Sequence, residues 1–335
     1  MSGRREMDDK YIKMTEKLLS KTNKILYNYY VDLKVTKTAS TTYQYVSRMK
    51  VFFDYLSKEK EEAVTYAMLN DIKPTDINVF LNWYKYSSEK EKSDSMMALM
   101  FNIINSFFIF LELNEYIDKN PCRKLKAQKI KVVKAPTFMT EEEVKLITNY
   151  ILYNGEKFYH SVGNEMLWKS RDYLMFMIGC RTGLRISAIC SIDVNDIDFD
   201  NNSIIVVEKE KETRQIYFGN STKKLLQEWL KMRDDYLGDK KYSIKALFIT
   251  YMNKRITPVG ARNALNRYFE IIPNKHITPH KMRSTCAQRL WEETSDLYLV
   301  SSVLGHHSVE TTKIYTMVDH ERKKNAARTL DKLFD

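Results

Sequence analysis

Near the C-terminus, Leu304-Gly305-His306 is followed, nine positions after the histidine, by Tyr315, and upstream stands His280-Lys281-Met282-Arg283. A tyrosine hydroxyl can serve as a covalent nucleophile if a neighbour helps it lose its proton. Arginine offers a planar fork of donors to phosphate oxygens, and histidine can hold or pass a proton near neutral pH. Gathered ahead of a tyrosine, these residue types point to chemistry at a phosphodiester of a nucleic acid. His280 and Arg283 are three apart. They therefore share one face of a helix opened by Thr278-Pro279, one turn from its electropositive end, where an anion is favoured. A lone H-x-x-R is common on protein surfaces, so its weight comes from its neighbours. One of these is Arg185, which follows Thr182-Gly183-Leu184 in a setting of Met177, Ile178, Ile186 and Ile189. A permanent charge in such apolar sequence needs an anion or a carboxylate beside it. Two readings are open for Arg185, a ligand clamp or an internal pair with Asp193 or Asp196.

The elements that must position these residues can be read from period and punctuation. From Met7 to Ile117 apolar residues recur at spacings of three and four with few breakers, which fits four helices. The first covers Asp8 to Leu33; the second starts between Thr38 and Ser40; the third starts at Lys73-Pro74-Thr75; the fourth starts at Ser93, a good N-cap type, and is ended by Asp118-Lys119-Asn120-Pro121. Arg123 to Lys134 is basic and non-periodic and is closed by Pro136. This stretch reads as a linker, either lying along a phosphate backbone or serving as a solvated tether. The expected division is a helical domain over 1–122, a linker over 123–137 and a second domain over 138–335.

The second domain opens with a capping box, Thr140 as N-cap and Glu143 at the third helical position. A helix over Lys169–Cys180, a break at Arg181-Thr182-Gly183 and another helix from Leu184 follow. The period then changes: Ser203 to Glu208 and Arg214 to Phe218 are β-branched and aromatic runs flanking a charged tip, a hairpin pattern, with Leu247 to Thr250 as a candidate third strand. Thr257-Pro258 and Thr278-Pro279 each place an N-cap type before a proline at the first helical position.

Composition bounds the rest. The chain has 335 residues, 54 Lys and Arg against 43 Asp and Glu, and a formal charge of +11, which favours a polyanionic partner. The greasy stretch Phe107 to Leu111 is far short of the roughly 20 residues of a membrane span, and no signal-peptide pattern opens the sequence. A non-exported protein with no membrane partner is expected. The four cysteines, Cys122, Cys180, Cys190 and Cys286, lack C-x-x-C spacing, so neither a disulfide framework nor a zinc site is suggested. His306 and His307 are adjacent and would point apart, so no metal is expected there.

Taken in order, Thr182-Gly183-Leu184-Arg185-Ile186-Ser187, the hairpin with Lys209, His280-Lys281-Met282-Arg283, Leu304-Gly305-His306 and Ile314-Tyr315 resemble the catalytic domain of the tyrosine recombinases, of the phage-integrase, Xer and Cre type. The match runs from Thr140 to Val318, and the helical first half resembles the family's SAM-like core-binding domain more loosely. The resemblance implies a mainly α protein with a small antiparallel β-sheet in an α+β catalytic domain, the two domains forming a clamp on DNA. It implies that Tyr315 attacks the scissile phosphorus to give a 3′-phosphotyrosyl link and a free 5′-hydroxyl. Arg185, Arg283 and His306 match the phosphate-contacting positions, His280 the acid/base, and Lys209 the general acid, with Lys211 the alternative. No cofactor is implied, since the link conserves the energy of the broken bond and the arginines supply positive charge.

The partners implied are double-stranded DNA with inverted-repeat sites and three further copies of the chain, a homotetramer on synapsed DNA that is a monomer or weak dimer without it. A cytoplasmic, nucleoid-associated location goes with these. Asp319 to Phe334 carries a stripe of Ala326, Ala327, Leu330, Leu333 and Phe334 that would dock on a neighbouring subunit or pack in cis. Because the core-binding pattern begins within the first thirty residues or so, no arm-binding domain is expected. Thr41, Tyr43, Tyr45, Arg48 and Lys50, and in the linker Lys129, Lys131 and Lys134, are candidate backbone contacts. Two departures stand out: Ala188 occupies the position where the family usually has a carboxylate, and the tip Glu208 to Glu212 is more acidic than the common glycine-rich version. A type IB topoisomerase or telomere resolvase, and a non-catalytic DNA-binding scaffold, are the competing readings.

Overall fold

Caps and breakers set most of the helix boundaries. The computed structural model describes residues 2–20, 22–125, 137–207, 213–305 and 312, and these fall into two compact units, one within Glu6–Val133 and one within Lys134–Asp335, to which Met1–Arg5 is also assigned. Lys129, Lys131, Lys134, Lys209, Lys211, His306, His307, Tyr315 and the segment 319–334 lie outside the described residues.

The first unit is helical: α1 (Ser2–Leu19), α2 (Lys24–Thr36), α3 (Ala39–Lys60), α4 (Tyr66–Asn70), α5 (Pro74–Tyr86) and α6 (Asp94–Leu113). Where the periodicity suggested one helix from Asp8 to Leu33, there are two. Asn23 ends the continuity by capping α2: its side chain accepts from the Ile25 N–H and donates to the Val64 carbonyl. Thr38 and Ser93 cap α3 and α6 as their types suggest. Helix α6 stops earlier than the proline predicts, at Leu113, with Glu115 in the left-handed region at φ 57°.

By length and composition α6 would pass as a membrane span. Its Met100, Ile104, Phe107, Phe108 and Leu111 are instead buried at the centre of this unit, with Phe107 edge-on to Tyr29 at 5.2 Å and Phe52 edge-on to Phe80 at 4.8 Å. The run that looked too short for a membrane is thus part of a longer apolar helix. Its Asn105 carbonyl oxygen is satisfied by the Asn120 amide at 2.9 Å.

The second unit is built around α8 (Glu165–Thr182), which is buried on nearly all sides and packed by α7 (Glu141–Asn154), α10 (Asn220–Leu237) and α12 (Pro279–Thr294). The remaining elements are α9 (Ile186–Ser191), β1 (Ile197–Asp198), β2 (Ser203–Val207), β3 (Thr213–Tyr217), α11 (Pro258–Phe269) and α13 (Leu297–Leu304). The predicted capping box of α7 is present, Glu143 accepting from Thr140 N at 2.8 Å and Thr140 from Glu143 N at 3.2 Å. The protein is mainly α with one small antiparallel sheet in the order β1-β2-β3. The third strand is Ile197–Asp198 and not the stretch from Leu247. In the latter, Leu247, Phe248 and Ile249 are buried, and pairing there is limited to isolated bridges, Ile249 to Arg255 within it and Ala246 to Asp193 just before it.

Buried charge is paired or spent on carbonyls. Arg171 bonds Asp172 and the Ile249 carbonyl, and Arg233 reaches the carbonyls of Ala246 and Ile244. The four cysteines are free thiols, and burial pushes Cys122 and Cys190 up to about 12, so they are inert core side chains.

Candidate active site

Three of the six predicted catalytic residues, Arg185, His280 and Arg283, fall within the described structure, and α8 and α12 bring them together. The two helices approach closely because Gly179 on α8 faces Met282: a Cβ there would lie 2.6 Å from the Met282 Cε. One residue further along α12, Arg283 is buried, and its Nη1 donates to the Gly183 carbonyl at 2.9 Å. Gly183 is the C-cap of α8, at φ 66°, and two residues later Arg185 sits in extended backbone as the N-cap of α9. The H-x-x-R helix is thus bonded directly to the T-G-L-R turn.

The third motif joins at the same glycine. A Cβ on Gly183 would lie 2.6 Å from Leu304 Cδ2 and 3.3 Å from Cys286 Sγ, so Leu304, first of the L-G-H triplet, fills the space that the missing side chain leaves. Leu304 is fully buried with Val300 and Ala287 between α12 and α13. The positive φ and the close approach both require glycine.

His280 lies on the first turn of α12, and its pKa is lowered. The residue is exposed, yet the protein packed around it is the largest cause, followed by the charges of Arg283, Lys281 and Arg185. Lys281 is itself lowered, by burial and by Lys275. A neutral imidazole among three cations at a helix N-terminus makes an electropositive spot with a proton acceptor in it. Thr278 occupies the N-cap position of α12 but makes no side-chain cap bond, in contrast to Thr257, which accepts from Gly260 N at 3.1 Å. The Lys281 N–H turns instead to the Thr278 carbonyl, at 2.8 Å.

Two carboxylates stand near in sequence as candidate partners of Arg185. Asp193 forms a buried ion pair with Arg255, and Asp196 accepts from the Asp193 backbone N–H at 2.8 Å. Ala188 is buried in the apolar core, where a carboxylate would carry a desolvation cost.

The candidate DNA contacts on α3 separate. At 100° per residue Thr41 and Arg48 flank the buried stripe of Val46, Met49 and Phe53 on one side, and Tyr43 and Lys50 on the other. Tyr43 packs near Tyr11, with centroids 5.9 Å apart, and Lys50 pairs with Asp54 at 2.6 Å. The four do not form one patch.

One contact went unforeseen. Arg214 on β3 donates through Nη1 to the carbonyls of Ser302 at 3.1 Å and Val303 at 2.6 Å, at the end of α13. The available signal was strand alternation, which puts Arg214 on the same face as the buried Ile216.

Comparison with known proteins places this geometry. Residues 137–322 match the phage integrase family. The tyrosine recombinase XerC of Corynebacterium glutamicum is 27% identical over 294 residues, covering 88% of this chain and 86% of that protein. XerC of Pediococcus pentosaceus is 29% identical over 255 residues, covering 76% and 80%. Among solved structures, the XerH site-specific recombinase bound to a palindromic difH substrate, a post-cleavage complex, aligns with a TM-score of 0.65 at 20% identity, covering 88% of this chain and 81% of that one. A lambda integrase dimer bound to a COC′ core site aligns with a TM-score of 0.63 at 18% identity, covering 87% and 94%.

Proposed function

This chain belongs to the phage integrase family, and from that premise we propose that it breaks and rejoins DNA through a covalent link to Tyr315. The observation that carries the reading is the meeting of three motifs at one turn: Arg283 bonded to the Gly183 carbonyl, Leu304 seated on Gly183, and His280 under the influence of both Arg185 and Arg283.

In this reading the Tyr315 oxygen attacks the phosphorus and its proton passes to the neutral His280. Arg185 and Arg283, with His306, hold the non-bridging oxygens, whose negative charge grows as the fifth bond forms. The P–O5′ bond breaks, and the departing oxygen takes a proton from Lys209, with Lys211 the alternative donor. The phosphotyrosyl ester keeps the energy of the broken diester, so a 5′-hydroxyl from another strand reverses the step. The low pKa of His280 supports its part, since a protonated imidazole could not accept the tyrosine proton.

Duplex DNA is the substrate in this proposal. The net charge of +11 and the DNA-bound state of the XerH and lambda integrase structures support it. The test begins with duplexes selected by the full chain from a random-sequence library. A nick placed near the cleaved phosphate then lets the freed strand end diffuse away. Wild-type protein should accumulate a denaturation-resistant adduct, and Tyr315→Phe should form none while still binding. An adduct that persists in Tyr315→Phe, or none with wild type on a bound duplex, would overturn the assignment. Joining of strands between two differently labelled duplexes is the outcome expected of a recombinase; relaxation of supercoils without such joining would instead mark a topoisomerase.

A further inference from the structure

The sheet carries an arginine that the chemistry above does not use. Arg214 alternates with Ile216 on the inner face of β3 and pairs across the ladder with the buried Val206. From there its guanidinium crosses to a different element: Nη1 bonds the Ser302 and Val303 carbonyls. The last carbonyls of a helix have no partner within it and lie at the negative end of its dipole, so a guanidinium there is held by charge as well as by geometry. Both bonds leave from one nitrogen, whose two hydrogens lie in the rigid guanidinium plane, so the plane itself is oriented by the two carbonyls.

The turn beside these carbonyls is shaped to admit the arginine. Gly305 sits at φ 63°, and a Cβ there would come within 2.7 Å of Arg214 Cζ and Nη1. The glycine of L-G-H therefore does two things, closing α13 through its N–H to Ser302 O at 3.0 Å and leaving room for the guanidinium. The two ends of this contact are unequally anchored. The α13 end is fixed by Leu304, seated on Gly183 and fully buried, whereas Thr213, Gln215 and Tyr217 of β3 are exposed and Ile216 is its buried anchor. The strand is the partner that gains a position from the bond. In sequence, Arg214 comes five residues after Lys209, and Gly305 immediately precedes His306.

We propose that Arg214 is a positioning residue: it fastens the β2–β3 hairpin to the C-terminal turn of α13 and thereby sets where the hairpin presents the acid that protonates the departing 5′-oxygen. This rests on the assignment of Lys209 made above. The role differs from catalysis itself, because the bonds that Arg214 makes through Nη1 go to the backbone carbonyls of α13.

A leaving-group substitution separates this role from mere structural support. A duplex with sulfur in place of the bridging 5′-oxygen leaves as a thiolate, which needs no proton, so its cleavage is insensitive to the acid. On a selected, nicked duplex with the ordinary 5′-oxygen, Arg214→Ala should slow adduct formation by roughly 10²-fold, the scale of a misplaced general acid. On the matching 5′-sulfur duplex the loss should fall below about 10-fold, as it should for Lys209→Ala. Arg214→Lys, which keeps the charge but not the fork, should fall between Arg214→Ala and wild type on the oxygen substrate and match wild type on sulfur.

Equal losses on both substrates would show that Arg214 supports the fold or the phosphate grip and would overturn the proposal, as would an unchanged rate on oxygen. Melting curves of Arg214→Lys and Arg214→Ala check that each variant is folded at the assay temperature. If Lys209→Ala is not rescued by sulfur, the acid assignment fails and this inference fails with it. If wild type forms no adduct on either duplex, the fault lies with Tyr315 and the family chemistry rather than with Arg214.

Discussion

His280 concentrates the chemical argument at the level of single residues. A histidine with its ordinary pKa near 6.5 would be partly protonated at neutral pH and a poorer acceptor for the tyrosine proton. Here crowding by protein, then the charges of Arg283, Lys281 and Arg185, favour the neutral ring. The sign follows directly: a lowered pKa keeps the base competent as pH falls through the ordinary histidine range and takes it away only below that range. Under limiting protein, where the rate reports the free enzyme, the acid limb of adduct formation should therefore lie below the pH expected of an unperturbed histidine. His280→Gln should slow the reaction by about 10²-fold and remove that acid limb. An acid limb that survives in His280→Gln would belong to another group and would sink the assignment. The charges that depress the imidazole are also those that would attract a phosphate, so one cluster of cations accounts for both the anion site and the state of its base.

At the level of elements, the packing of α8 against α12 does what no single motif could. Gly179 and Gly183 let α12 and Leu304 come in close, and the Gly183 carbonyl becomes the acceptor for Arg283. Gly183→Ala would place a methyl against Leu304 at φ 66°, a strain of about 1–3 kcal/mol before any clash is counted. The melting midpoint should drop accordingly, and adduct formation at a temperature where the protein stays folded should fall further than DNA binding does. Unchanged cleavage by a folded Gly183→Ala protein would show that this turn does not hold the arginines. These element-level facts were partly legible beforehand. The capping box at Thr140, the hairpin and the start of α12 followed from local rules, because each is decided by residues within a few positions. The split between α1 and α2 was missed because Asn23 takes its second bond from Val64, 41 residues away. The third strand was misplaced because a buried apolar run such as Leu247 to Ile249 looks the same whether it pairs or merely packs. The Arg214 contact spans 88 residues to Ser302 and carries no local signature. That the turn at Gly183 and the start of α12 belong together was signalled by motif order alone, whereas the Asp193–Arg255 ion pair carries no such signal.

On the scale of the whole molecule, each unit has its own core, centred on α6 in one and α8 in the other. The proposed function gives the chain a DNA partner, and the family resemblance implies further copies of the chain as a second. The sequence after Val318 places Ala326, Ala327, Leu330, Leu333 and Phe334 on one helical stripe beyond the proposed nucleophile. A stripe of this kind must be covered, in cis or by a neighbour, because an exposed apolar face of helix length invites association. If a neighbouring protomer covers it, deleting the residues after Val318 removes a contact between subunits and leaves each catalytic unit whole. Such a chain should bind a single half-site with unchanged affinity and melt at the same temperature, while two-site complexes containing four protomers, counted by light scattering, disappear. A drop in melting temperature with assembly intact would mean that the stripe packs in cis. Four-protomer complexes at the wild-type yield would remove the trans contact from the proposal, leaving the assembly to be carried by surfaces within residues 1–318.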